Sequence, residues 1–183
     1  LADGALAAGA WRGELAEAEG NGVARQAIGN DLYGAYGRDF TTSDARRVMV
    51  VAITDRQWTG LLAATETAVA VGEIEGELGV DFGDEGARFT ARDRLGELFA
   101  PWFADRSLSQ VAETLDAHRV CWGPYRTFRQ MLDEDPRCSL GNPMFAELDQ
   151  PGVGVHLVPG SPLAFGELDA RERGAAVAPR LGV

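Results

Sequence analysis

A segment rich in glycine and tyrosine, residues 29–40, offers the clearest chemistry in this sequence. It reads Gly-Asn-Asp-Leu-Tyr-Gly-Ala-Tyr-Gly-Arg-Asp-Phe, with three glycines and two tyrosines in its first nine residues. Glycine lets a backbone approach a ligand closely, and N–H groups in such a loop bind phosphate or a developing oxyanion. Tyrosine adds an apolar wall and a hydroxyl donor. This composition suits a ligand-binding loop and a turn-rich linker equally well.

Other chemical signatures are missing from the sequence. It contains no GxGxxG dinucleotide fingerprint after a strand and no GxSxG, and its two histidines and two cysteines lack zinc-ligand spacing. All 17 basic residues are arginine, which removes lysine Schiff-base chemistry and the lysine of a P-loop. We expect Cys121 and Cys138 to remain thiols, as in a reducing cytoplasm.

The charge and hydropathy of the chain exclude two further classes of partner. Acidic residues number 28, and the net charge of -11 argues against nucleic acid, which needs a basic face. No apolar run approaches the roughly 20 residues of a membrane span. The length of 183 residues and the 45% hydrophobic content predict a globular core of ordinary domain size.

Hydrophobic patterns predict the elements that surround the glycine-tyrosine segment. A β-branched apolar run predicts a buried strand over residues 47–53. Apolar residues at i, i+3, i+4, i+7 and i+8 predict the core face of a helix over 91–104. Thr54 with Gln57, and Ser107 with Gln110, have capping-box spacing. The boxes predict helices over 55–69 and 107–118.

The remaining segments carry weaker patterns. We expect one alanine-rich helix over 1–19, a long connection over 20–45 and a polar, acidic connection over 72–88. Further expectations are a strand over 120–122, a short helix bearing Phe128, Met131 and Leu132, and a strand over 153–158.

Six motifs, in one order along nearly the whole chain, resemble the family III CoA-transferases of the CaiB/BaiF type. That family includes formyl-CoA transferase, carnitine CoA-transferase and methylacyl-CoA racemase. The motifs are Tyr33–Tyr36, the strand Arg47–Ala52 with Asp55–Trp58, Leu95–Phe99 with Trp102 and Phe103, Val120–Tyr125, Val158–Leu163, and Pro179–Gly182.

The resemblance implies an α/β fold. It would consist of a small α/β domain plus flanking pieces of a Rossmann-like large domain, as a fragment of an interlocked dimer fold. The implied boundaries are 1–45 for a large-domain helix and the glycine-rich linker, 46–125 for the small domain, and 126–183 for a segment returning to the large domain. The first residue is Leu1, and we expect the sequence to be a piece of a longer protein.

The resemblance also implies covalent catalysis on acyl-CoA thioesters. An Asp carboxylate attacks the thioester, a mixed anhydride forms and CoA thiolate is released before it returns. In the family this nucleophile precedes the alanine-rich helix that begins this sequence, so we expect it upstream of Leu1 and expect this chain alone to be inactive. Asp3 matches instead a structural Asp of the family. The implied partners are an acyl-CoA and a carboxylic acid as substrates and a second copy in a homodimer, with no nucleic acid and no membrane. We expect no permanently bound cofactor, no metal and a cytoplasmic location.

Within the family, residues 29–40 followed by 48–54 are most similar to the mesaconyl-CoA branch, which moves CoA between the two carboxylates of one dicarboxylic acid. Another acyl-CoA transferase, a methylacyl-CoA racemase and a non-catalytic acidic interaction domain stay open as alternatives. Arg38 could pair with a substrate carboxylate, or equally with Asp39 or Asp44. We expect the acyl-CoA pocket to be lined by Gly29, Asn30, Tyr33, Gly34, Tyr36 and Gly37.

Overall fold

A computed structural model of the chain describes residues 1–22, 24–162 and 176–179. The chain divides into two compact units, Leu1–Pro124 and Tyr125–Val183. The helices are α1 (Ala2–Trp11), α2 (Glu14–Asn21), α3 (Asp55–Thr65), α4 (Ala68–Leu78), α5 (Glu85–Thr90), α6 (Arg92–Ala104), α7 (Leu108–Ala117) and α8 (Phe128–Glu134). The strands are β1 (Tyr36–Thr41), β2 (Arg47–Ala52), β3 (Cys121–Tyr125), β4 (Phe145–Gln150) and β5 (Gly154–Pro159).

An antiparallel hairpin of β1 and β2 organises the first unit. Tyr36 lies opposite Ala52 and Thr41 opposite Arg47, and the sheet order is β1-β2-β3. Side chains alternate between the two faces of a strand, so residues 36, 38 and 40 share one face. The buried residues of β2 oppose these three positions. The strand predicted over 47–53 is therefore confirmed as β2.

Helix α6 covers the buried face of the hairpin through aromatic contacts. The ring of Phe40 stacks on that of Phe103 with a centroid distance of 4.2 Å, and Tyr36 meets Phe99 edge-on at 5.5 Å. Such aromatic pairs contribute about 0.5–1.5 kcal/mol beyond the burial of their area. The core around them is completed by Val48, Val50, Trp58, Leu61, Val71, Phe82, Leu95, Val111 and Leu115.

Capping boxes begin three of the helices. Thr54 and Gln57 exchange their hydrogen bonds at the start of α3, and Ser107 and Gln110 do so at the start of α7. Both predicted boxes are thus confirmed. A third box, Thr127 with its partner three residues later, begins α8. Its Thr-x-x-Gln spacing is visible in the sequence.

Three predicted boundaries are wrong. The helix expected over 1–19 is two helices, because Gly13 adopts a left-handed φ of +77° between α1 and α2. The helix expected over 55–69 ends at Thr65, since Glu66 is also left-handed. The connection expected over 72–88 contains most of α4 and part of α5, because Val71 and Ile74 give α4 a buried stripe despite its acidic outer face.

The expectation of an unstructured connection over 20–45 is also wrong, because β1 lies within it. The two strands of the hairpin pair across residues 42–46, so a domain boundary between 45 and 46 would cut this turn. The Thr42 N–H donates to the Arg46 carbonyl, and Asp44 accepts from the Leu108 N–H at the start of α7. The turn therefore belongs to the same packed unit as α7.

The second unit is built on a hairpin of β4 and β5. Phe145 lies opposite Pro159 and Gln150 opposite Gly154, which confirms the strand predicted near 153–158. Asp135, at the end of α8, accepts hydrogen bonds from the side chains of Arg126 and Arg137. Leu163 and residues 180–182, which belong to the last two family motifs, lie outside the described residues.

Helices α1 and α2 contain no buried residues. Trp11 is 85% exposed, and Leu6 and Leu15 also face solvent. Helices in water gain most of their stability from packing an apolar face. The alanine-rich end of the chain is therefore the part that this unit stabilises least.

Arg88 generates a prediction about stability. Its side chain is 1% exposed and donates to the backbone carbonyls of Ile53, Phe82 and Gly83 at 2.6, 2.5 and 3.2 Å. We expect Arg88→Met to lower the free energy of unfolding by about 3 kcal/mol, because buried acceptors lose their donors.

Chemical denaturation of the purified protein measures this loss. Arg94→Met is the matched control, because the ion pair of Arg94 with Glu77 is exposed and should contribute less than about 1 kcal/mol. Equal losses in the two variants would contradict the structural role of Arg88.

Asp135 generates a prediction about pH. Hydrogen bonds from Arg137, and to a lesser degree the charge of Arg126, hold the pKa of Asp135 well below its ordinary value. A lowered pKa stabilises the fold above the unfolded value, and the gain is lost as the pH falls through the folded value. Asp135→Asn should lower the thermal midpoint at neutral pH, and its difference from wild type should shrink below about pH 4.

Thermal scans over a pH series test this expectation. Asp133→Asn is the control, because its ion pair with Arg129 is exposed and should change the midpoint little. A difference for Asp135→Asn that stays constant through the acid range would contradict the assignment.

Candidate functional site

The glycine-tyrosine segment folds back along β1. The Leu32 N–H donates to the Gly37 carbonyl at 2.8 Å, and the Asn30 side chain donates to Asp39 at 3.2 Å. Residues 30–32 therefore lie beside residues 37–39. The first half of the segment is thus held against the strand that follows it.

The three glycines of the segment are needed for two different reasons. Gly29 and Gly34 have φ values of +63° and +82°, the left-handed region that favours glycine. No heavy atom lies within 4 Å of the position that a Cβ would occupy on either of them. Gly37 has no such φ, but a Cβ there would lie 2.7 Å from the Leu32 Cβ. Space for a ligand therefore exists beside Gly29 and Gly34, whereas Gly37 is explained by packing within the chain.

Tyr33 lies at the surface, where Arg25 and Phe89 contact its ring. Its ring lies 3.7 Å from the Arg25 guanidinium carbon and 5.0 Å from the ring of Phe89. Its hydroxyl donates to Glu17, which lowers the pKa of that carboxyl. The residue is 45% exposed, so part of it remains accessible.

Tyr36 belongs to the core. It is fully buried against Trp58 and Phe99. Burial raises the pKa of its hydroxyl, which has no hydrogen-bond partner among the described residues. Of the six predicted site residues, Gly29, Asn30 and Tyr33 are exposed, Gly34 is half-buried, and Tyr36 and Gly37 are buried.

Arg38 pairs with neither of the two residues considered for it from the sequence. Its Nε and Nη2 donate to the carboxylate of Asp31 at 2.7 and 2.6 Å, and Nη2 also lies 2.6 Å from Asp93. Asp39 instead pairs with Arg47, and Asp44 accepts from the N-terminus of α7. The pair of Asp31 and Arg38 could have been predicted from the sequence, because the two residues lie at equal distances on either side of the glycine turn.

A surface groove of about 430 Å³ lies between β1 and α6. None of the six predicted site residues lines it. Its lining consists of Arg38, Asp39, Phe40, Thr41, Gly96, Glu97, Ala100 and Ala104.

The described part of the chain contains neither a metal-binding cluster nor a membrane-spanning helix. Within residues 1–22, 24–162 and 176–179, no three His, Cys, Asp or Glu side chains gather closely enough to hold a metal ion. None of the helices in those ranges has the length and apolar character to cross a bilayer. Asp3 lies exposed in the first turn of α1.

The sequence and the fold were compared with known proteins. Residues 2–183 match the family model for CoA-transferase family III. The 2-methylfumaryl-CoA isomerase of Chloroflexus aurantiacus is 47% identical over 165 residues, which are 90% of this chain and 40% of the isomerase. The chain therefore spans about 40% of the length of this relative.

Two solved structures share the fold at low identity. A CAIB/BAIF family protein from Brucella suis has a TM-score of 0.57 and 20% identity over 85% of this chain and 38% of its own. Rv3272 from M. tuberculosis has a TM-score of 0.58 and 18% identity over 91% of this chain and 49% of its own. They confirm the predicted α/β fold class. Because the family match extends over almost every residue, the chain belongs to CoA-transferase family III.

Proposed function

We propose that this chain forms part of an enzyme that moves CoA between the two carboxylates of mesaconate, which is 2-methylfumarate. The observation that carries the proposal is the 47% identity to a 2-methylfumaryl-CoA isomerase over 90% of the chain. The glycine-tyrosine segment lies inside the matched family region. The proposed enzyme acts as a homodimer in the cytoplasm.

The proposed reaction exchanges one thioester for another. An Asp carboxylate attacks the C1 thioester carbonyl, so that a mixed anhydride forms and CoA thiolate leaves. The thiolate attacks the Asp carbonyl of the anhydride, which gives an enzyme thioester and frees the C1 carboxylate. The C4 carboxylate then attacks the enzyme thioester, which forms a second mixed anhydride and releases CoA thiolate. The thiolate attacks the C4 carbonyl, which gives the C4 thioester and regenerates the Asp carboxylate. No oxidant, reductant or second acid is consumed.

The residues of this chain would shape the site that encloses these steps. Nucleophilic attack by a carboxylate needs a dry, oriented environment. The open space beside Gly29 and Gly34 allows the backbone to approach an acyl group. The exposed part of Tyr33 offers an apolar wall beside the same turn. The segment is therefore proposed to close over the acyl part of the substrate.

The full-length protein tests the proposed reaction with mesaconyl-C1-CoA. We expect conversion to the C4 thioester, which chromatography and mass spectrometry would detect. Free mesaconate labelled with ¹³C distinguishes the two kinds of transfer, because movement within one acid leaves the label out of the product. The 183-residue chain alone should be inactive, since the proposed nucleophile is not among its residues.

Other results would favour other functions. Label in the product would indicate transfer between acids, as in other family III transferases. Exchange of the α-hydrogen of a 2-methylacyl-CoA with deuterium oxide, without movement of CoA, would indicate a racemase. Absence of every acyl-CoA reaction would contradict the proposal and favour an interaction domain.

Gly34 tests whether the segment approaches the substrate. Its φ of +82° suits asparagine better than valine, which should suffer strain of about 1–2 kcal/mol. If substrate contacts this turn, Gly34→Asn in the full-length enzyme should lower kcat/KM by about tenfold while the thermal midpoint changes little. Steady-state kinetics and thermal scans measure the two effects.

Gly79→Asn is the matched control. Gly79 has a φ of +64° at the end of α4, again with open space around it, and it lies outside the segment. Activity should be retained in this variant. Full activity of Gly34→Asn would show that glycine serves the turn alone.

A further inference from the structure

We propose that Arg38 is a positioning residue that clamps the first half of the glycine-tyrosine segment, residues 29–35, onto the N-terminal turn of α6. Its effect on catalysis rests on the proposed function, because it acts through the segment that would close over the acyl-CoA. The clamp itself is a property of this chain alone. Neither Arg38 nor Asp31 was among the residues expected to line the pocket.

The guanidinium of Arg38 contacts two carboxylates from different elements. Two of its nitrogens bind the two oxygens of Asp31, at 2.7 and 2.6 Å, in a two-pronged contact. The second of these nitrogens also reaches Asp93 in the first turn of α6, at 2.6 Å. Arg92 approaches the same Asp31 carboxylate at 3.4 Å. Arg38 thus links the segment, strand β1 and helix α6.

The charge of Arg38 lies on a face of β1 where a charged group is costly. Arg38 lies between Tyr36 and Phe40 on the face of β1 that packs on α6, opposite the buried Val50. A charged group on an apolar face is costly unless hydrogen bonds and opposite charges satisfy it. Both carboxylates that satisfy Arg38 belong to the elements it joins.

Gly96 of α6 leaves room for the side chain of Arg38. A Cβ at Gly96 would overlap the guanidinium of Arg38 and lie 2.9 Å from its Cδ. Glycine inside a helix is less stable than alanine by about 1 kcal/mol. Helix α6 therefore has a residue of low helix propensity where the side chain of Arg38 passes it.

The same geometry disfavours a different role for Arg38, the binding of a substrate carboxylate. Three of its five N–H donors bind Asp31 and Asp93, whose two negative charges outweigh the single charge of the guanidinium. The hydrogen bonds that Arg38 donates to Asp31 and Asp93 raise the pKa of Arg38, and Arg38 lowers the pKa of Asp93. Arg38 consequently stays charged throughout the physiological range. The proposed role of Arg38 is to hold the segment.

Two variants in the full-length protein test the clamp. Arg38→Lys keeps the charge and loses the two-pronged contact, and Gly96→Ala places a methyl group where the guanidinium lies. Amide hydrogen exchange of residues 29–35 should become about tenfold faster in both variants, whereas exchange in the second half of α6 should not change. In the double variant the effect should not add, because both changes break one contact.

Kinetics separates positioning from a purely structural role. At a temperature at which all variants are fully folded, Arg38→Lys should lower kcat/KM for the acyl-CoA by about 10- to 100-fold. A structural role would lower the thermal midpoint and leave kcat/KM unchanged. Arg94→Lys is the matched control on the same helix, because its ion pair with Glu77 is exposed and does not touch the segment.

Two results would overturn the proposal. One is unchanged hydrogen exchange of residues 29–35 in both variants. The other is a Gly96→Ala variant that is more stable than wild type and equally active, as helix propensity alone would give. If the wild-type protein converts no acyl-CoA, the proposed function fails, and the exchange measurement still decides whether Arg38 holds the segment.

Discussion

Tyr36 and Phe40 of β1 rest on Phe99 and Phe103 of α6, and this contact sets the separation of the strand and the helix. Stacked and edge-on rings tolerate little displacement, because protein interiors are packed as densely as organic crystals. The residue between the two rings in β1 must therefore fit into a gap of fixed width. Arg38 fits there because Gly96 has no side chain. The position of the glycine-tyrosine segment depends on that fit.

Much of the first unit could be predicted from the sequence, because its patterns are local. The β-branched run of β2 and the capping boxes of α3 and α7 each need fewer than ten residues to be recognised. Strand β1 could not be found in this way. Its sequence, Tyr-Gly-Arg-Asp-Phe-Thr, contains glycine and two charges, and its apolar positions are too few to show alternation. It is a strand because β2 pairs with it and α6 covers it, and both are tertiary effects that override propensity.

The candidate site shows the same division. The glycine turn could be predicted from the sequence, because positions with a positive φ favour glycine. Gly29 and Gly34 both have such a φ. The sequence does not show which of the two tyrosines is buried. In the structure Tyr36 belongs to the core and Tyr33 lies at the surface. The ion pair of Arg38 with Asp93 joins residues 55 positions apart. No local pattern reports such a contact, because it exists only after α6 has packed on the hairpin.

The charge of the chain constrains which end of an acyl-CoA it could face. CoA carries several phosphate charges, and the net charge of this chain is -11. Among the described arginines, Arg38, Arg92, Arg94, Arg126, Arg129 and Arg137 are already paired with carboxylates of the chain. A surface of this kind repels a polyanion at long range and has few cations to offer it at contact. The glycine-tyrosine segment supplies backbone, an aromatic face and open space instead, which suits an acyl group better than a nucleotide. In the proposed enzyme, the segment would therefore face the acyl end of the substrate.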